Sequence, residues 1–141
     1  MNFAGLNTIA IMLAAAASFL FGGVWYGALS KQWMAAAKVD FETLTKSRDG
    51  PVITPYLISF AALLVMSTML AGVIGHLGQG SVSLKIGVVS GALVWLGFVV
   101  TSLATNHAFQ GAKPMLTLID GGHWLGVLVI QGAIIGWLGV G

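Results

Sequence analysis

The chain has no cysteine, only four acidic residues, and charged side chains at 7% of its 141 positions. Without cysteine there is no disulfide, no thiolate metal site and no cysteine nucleophile. A soluble domain carries roughly 25% charged residues, so a surface this poor in charge does not stay in water. Three of the four acids, Asp40, Glu42 and Asp49, fall in one stretch and leave Asp120 by itself, so no carboxylate pair stands ready for acid–base work. A phosphate-binding loop, a Ser–His–Asp pattern and a basic stripe for nucleic acid are also missing.

What is present is apolar. Hydrophobic residues make up 57% of the chain and the mean hydropathy is +0.95. Four stretches without Asp, Glu, Lys or Arg, at 1–30, 51–84, 86–112 and 121–141, each exceed the roughly 20 residues that a helix needs to cross a bilayer. The expected fold class is all-α: a single polytopic membrane domain and a four-helix bundle of two tandem hairpins. Its spans are expected near 4–30, 54–78, 84–107 and 117–139, with a loop at 31–53. "LAAAAS" (13–18) could pass for a cleavage site after an apolar run. No Lys or Arg precedes it, though, and the run continues past it, so the first helix reads as uncleaved.

Placement of basic residues predicts orientation. The first loop holds Lys31, Lys38, Lys46 and Arg48, the second connection Lys85, and the third Lys113. By the positive-inside rule the first and third connections are cytoplasmic and both termini lie outside.

Local signals agree with these spans. "DGPVITPY" (49–56) offers a turn, then Thr54 as N-cap and Pro55 as first helical residue. Trp25, Tyr26, Trp33, Tyr56, Trp124 and Trp137 sit near span ends, as an aromatic belt would. Trp95, mid-span, reads as packing. Trp33, Ala37, Phe41 and Leu44 follow helical spacing and predict a short amphipathic helix along the interface, broken near Asp40 as N-cap. This helix reads either as a membrane-hugging linker or as a gate or partner-docking element.

"AGVIGHLGQG" (71–80) and "GAIIGWLGVG" (132–141) share Ile, Gly, Leu, Gly and Gly in register, which suggests a two-plus-two repeat. GxxxG spacings occur at Gly23/Gly27, Gly87/Gly91, Gly122/Gly126 and Gly132/Gly136. At 20 glycines, chance alone supplies about three of them, so the motif predicts close packing without saying which faces meet. Tight packing leaves little room for a pore in one chain, so solute movement would call for a homo-oligomer.

Polar residues of three spans are expected to collect at the loop end: Trp25 and Tyr26 from span one, Thr101, Thr105, Asn106 and His107 from span three, Asp120 and His123 from span four. His76 is expected alone at the opposite end. A polar group in a span is a functional candidate by default, because leaving it unpaired is costly. Three readings of Asp120 and His123 compete. In one, Thr117 caps the last helix, Asp120 completes a capping box in its first turn, and His123 pairs with Asn106. In the second they form a binding or proton-handling site with Asn106 and His107. In the third, His107, Asp120 and His123 hold a metal, although their spacing is not a known ligand pattern. The ligand-binding candidates are therefore Trp25, Tyr26, Asn106, His107, Asp120 and His123, with no catalytic residue, metal or cofactor expected.

"GGVWYGALSKQW" (22–33), "NHAFQGAKPMLTLIDGGHWLG" (106–126) and "GAIIGWL" (132–138) give the chain a resemblance to the bacterial small membrane proteins of domain-of-unknown-function family 1761. The matching positions are Trp25, Tyr26, Trp33, Asn106, Phe109, Gly132 and Gly136. The resemblance implies four spans and a bacterial inner membrane, and supplies no reaction. Three functions stand as expectations. The first is a homo-oligomeric protein that binds or transports a small solute or lipid. The second is an accessory subunit of a larger membrane complex. The third is a membrane-embedded enzyme on a lipid or quinone, with His123 or His107 as general base.

Overall fold

A computed structural model describes residues 5–46, 49–79 and 81–141. Gly80 of the repeat and Arg48 of the first loop lie outside them. Among the described residues six α-helices run in order: α1 (Thr8–Ala37), α2 (Phe41–Lys46), α3 (Thr54–Leu77), α4 (Leu84–Val94), α5 (Val100–Phe109) and α6 (Pro114–Leu138). A π-helical turn, Trp95–Val99, joins α4 to α5 and makes one continuous third span, Leu84–Phe109. α1, α3, this span and α6 are each long and apolar enough to cross a membrane. Helix is the form expected there, because a lipid-exposed backbone must satisfy its own N–H and C=O groups.

The termini of these helices are set locally. Asn7 accepts from the Ala10 amide and Ser83 from the Ile86 amide, each satisfying a first-turn donor. Pro114 starts α6, where its missing N–H costs nothing. α3 begins at Thr54, and Pro55 comes next. Ile53 occupies the cap position, so the Thr54 side chain does not cap it. α1 runs past residue 30 to Ala37 and stops at Lys38, whose backbone is left-handed at φ 57°. At 1.5 Å per residue its 30 residues extend about 45 Å, so the Lys31–Ala37 turns project beyond a hydrocarbon core of about 30 Å. Trp33 therefore belongs to α1, not to the loop helix. The loop helix itself is α2, short and without buried residues, and Asp40 accepts from the Thr43 amide at its start.

α6 is the centre of the bundle and packs against α1, α3 and the third span. α1 with α3, and the third span with α6, form the two hairpins. Apolar burial does little to bring helices together in lipid, so close packing and polar contacts carry the association. The closest approach is between α4 and α6. A Cβ on Gly87 would overlap the Gly132 carbonyl oxygen, and one on Gly132 would overlap that of Gly87. Gly91 meets the Leu128 carbonyl and Gly136 that of Ser83 in the same way. Two of the four GxxxG spacings thus face each other. Gly122 and Gly126 instead receive the rings of Trp25 and Phe21, while Gly23 and Gly27 face open space.

At the end opposite the long loop, the Asn7 amide donates to the Val140 carbonyl at 2.7 Å, tying the two terminal segments together. His76 is exposed at this end. The two repeat segments both finish here in different surroundings: Gly75 lies against Val140, and Gly136 against Ser83 and Gly87.

Candidate functional site

Asp120 lies in the second turn of α6, about 9 Å of helix rise from Pro114. Because α6 starts at Pro114 and not at Thr117, neither residue caps it, and the capping-box reading is corrected. The Asp120 side chain is 15% exposed. Its Oδ1 accepts the Tyr26 hydroxyl at 2.7 Å and the Trp33 indole N–H at 3.0 Å. Its Oδ2 lies 3.5 Å from His107 Nε2, and His107 Nδ1 is 2.9 Å from Thr117 Oγ1. Tyr26 and Trp33 are seven residues apart on α1, two turns along one face, which is why both reach the same oxygen.

Two more indoles fix the helix that carries the carboxylate. Trp25 of α1 donates to the Ile119 carbonyl at 3.0 Å, and Trp95 of the π turn donates to the Gly121 carbonyl at 2.8 Å. The carbonyls on either side of Asp120 are therefore held from two neighbouring spans. Trp25, Tyr26 and Trp33 turn inward onto α6 instead of forming an aromatic belt, whereas Tyr56 and Trp137 remain exposed, as belt residues are. Trp95 packs, as expected, and also donates a hydrogen bond.

His123 comes next, one turn deeper than Asp120. It is 7% exposed and lies among aromatic rings, with centroids 4.8 Å from Tyr26 and 4.7 Å from Trp124. Its Nε2 lies over Gly22, where a Cβ would come within 2.9 Å of it. Its Nδ1 is buried with no hydrogen-bond partner among the described residues. The pairing expected with Asn106 is not made, since Asn106 is exposed and turned away from the face of α5 that buries His107. Adjacent helical positions differ by about 100°, so only one of the two can face α6. Thr101 and Thr105 are exposed too, each hydroxyl bonded to the carbonyl four residues back. The six candidate ligand residues thus divide: Trp25, Tyr26, His107, Asp120 and His123 gather, and Asn106 stays apart. Among the described residues, no three His, Cys, Asp or Glu side chains come close enough to hold a metal.

Gln131 is a polar residue that the sequence reading misses. It is fully buried where α1, α3 and α6 meet, donating to Ser18 Oγ at 3.1 Å and to the Leu63 carbonyl at 3.2 Å. Its Oε1 has no partner among the described residues. A lone amide in the otherwise apolar second half of the last span is the signal that could have found it.

A shallow groove of about 520 Å³ runs along the first turns of α3, lined by Asp49, Pro51, Pro55, Ile58, Ala62 and Trp124. Trp124 also touches the His123 ring.

No curated protein and no solved structure matches this chain. One family model does, over residues 9–136, a range that takes in nearly all of the four long helices, the Asp120 cluster and the Gly87–Gly132 contact. The chain belongs to the protein family of unknown function DUF1761.

Proposed function

We propose that this multi-pass membrane protein binds a small polar solute or lipid headgroup at the loop end of its bundle. Asp120 is the charged group that receives it. The observation that carries this reading is the uneven engagement of the carboxylate. Oδ1 accepts from both Tyr26 and Trp33, while among the described residues Oδ2 has only the longer contact to His107. A carboxylate among Tyr26, Trp33 and Trp25 suits a ligand with a positive charge or a strong N–H donor, which aromatic faces also attract. The indole bonds to Ile119 and Gly121 pre-set its position, so little ordering is left for the ligand to impose.

By the distribution of basic residues, the site opens to the cytoplasm and the termini lie on the opposite face of a bacterial inner membrane. The test is a tryptophan-fluorescence titration of the purified protein with a panel of organic ammonium ions, run beside Asp120→Asn. Saturable quenching in the wild type and its loss in a folded Asp120→Asn variant is the expected result. Equal quenching in both would overturn the assignment of Asp120.

A second reading, an enzyme, draws on the order Thr117–His107–Asp120, which has the connectivity of a nucleophile, base and orienting acid. Thr117→Val separates the two. It leaves ammonium binding in place under the first reading and abolishes any hydroxyl chemistry under the second.

A further inference from the structure

The third span is the least buried of the four, and its α5 half carries an uncommon surface. Thr101, Ser102, Thr105 and Asn106 are all exposed, although the span is apolar enough to cross a membrane. The hydroxyls of Thr101, Ser102 and Thr105 are each bonded to the carbonyl four residues back. The Asn106 carboxamide makes no hydrogen bond among the described residues. Phe98 and Phe109 bracket this face at 74% and 92% exposure, and the spacing 98, 102, 105, 109 is that of one helical stripe. Polar surface facing lipid is unfavourable, and hydroxyl or amide side chains in spans mark contacts between helices.

We propose that this face, centred on Ser102 and Thr105, is where a second copy of the chain docks. Two copies inserted the same way meet about a two-fold axis along the membrane normal, so each residue meets its own counterpart at equal depth. That geometry demands self-complementary chemistry, and Asn106 has it. One carboxamide supplies both donor and acceptor, so Asn106 pairs with Asn106 of the partner subunit. The small side chains of Ser102 and Thr105 let the backbones approach, and the exposed Phe98 and Phe109 rings close over the crossing point on either side. A partner of different sequence would have to present the same donor–acceptor pair at the same depth, and nothing on this face calls for one. Ser102 and Thr105, at the centre of this face, lie well round α5 from His107, which faces Asp120, so the docking face and the ligand site are separate surfaces.

The absence of cysteine makes the test clean. Ser102→Cys, Val24→Cys and Ala61→Cys each introduce the only thiol, on exposed positions of α5, α1 and α3. They are oxidised in membranes with a membrane-permeant oxidant. The expected result is a covalent dimer from Ser102→Cys alone, reduced about threefold when Asn106→Ala is added, the factor that one average interhelical hydrogen bond supplies. No dimer at position 102, or equal yields at all three positions, overturns the interface. An unchanged yield with Asn106→Ala overturns the amide pairing. A dimer that persists in Asp120→Asn while ammonium binding is lost shows the two proposals to be separate.

Discussion

Tyr26 reaches across the seam between α1 and α6 and places its hydroxyl 2.7 Å from Asp120 Oδ1. This bond joins the first span to the last and fixes one oxygen of a carboxylate that is 15% exposed. A hydrogen bond between two spans contributes to stability as well as to the site.

Tyr26→Phe removes that donor and leaves Trp33 in place. The expected loss is about 1–2 kcal/mol of bundle stability, read by unfolding in mixed micelles. Asn106→Ala, on the exposed face of α5, changes the stability of the monomer by less than about 0.5 kcal/mol. A larger effect at Asn106 than at Tyr26 would contradict the placement of the cluster.

The four-glycine contact predicts a sharp asymmetry. Gly132→Leu drives a side chain into the Gly87 carbonyl and should cost about 3 kcal/mol or more, the upper range of core overpacking. Gly23→Leu, at a position with open space around it, should leave folding nearly unchanged. Similar losses at both positions would mean that α4 and α6 do not meet as described.

The π turn predicts an unusual tolerance. A π turn is one residue inserted into an α-helix while the turns beyond it keep their rotational phase. Deleting Gly97, which is exposed and has nothing near it, should restore regular α-helix and keep His107 facing Asp120. Deleting Val89 from α4 instead turns the helix before it by about 100° relative to α5, and should break the Gly87–Gly132 contact. Comparing the expression and unfolding of the two deletions checks this.

Asp40 predicts a local pH dependence. Its side-chain and backbone hydrogen bonds with Thr43 hold its carboxyl below the ordinary value of 3.8. A depressed folded value contributes order that is present above the unfolded value and lost as pH falls through the folded one. The start of α2 should therefore stay ordered at neutral pH and fray only well into the acid range, below the ordinary carboxylate value. Amide exchange at Thr43, faster in Asp40→Ala than in the wild type near neutral pH, is the measurement. Unchanged exchange would remove the cap.

The four spans are legible in the sequence because long uncharged runs have few alternatives in a bilayer. The gathering of Tyr26, His107 and Asp120 is legible because topology alone puts those span ends together. Rotational phase is not. Whether Asn106 or His107 faces α6 depends on the π turn before them, and no residue in "WLGFV" announces it. Lys31 looks like the end of a span and so pushes Trp33 into the loop, yet α1 simply extends into the polar region. The spacing of seven between Tyr26 and Trp33 is visible in the sequence and places the two on one face. The pairing of Gly87 with Gly132 is out of reach, since four similar spacings exist and composition cannot choose between them.

The most direct test of the account is native mass spectrometry of the protein extracted gently from its own membranes, for the wild type and Asp120→Asn. The wild type is expected to carry a co-purifying small molecule or lipid with a cationic or N–H-rich head, absent from the folded variant. A wild type with nothing bound, or a molecule retained equally by both, would contradict it.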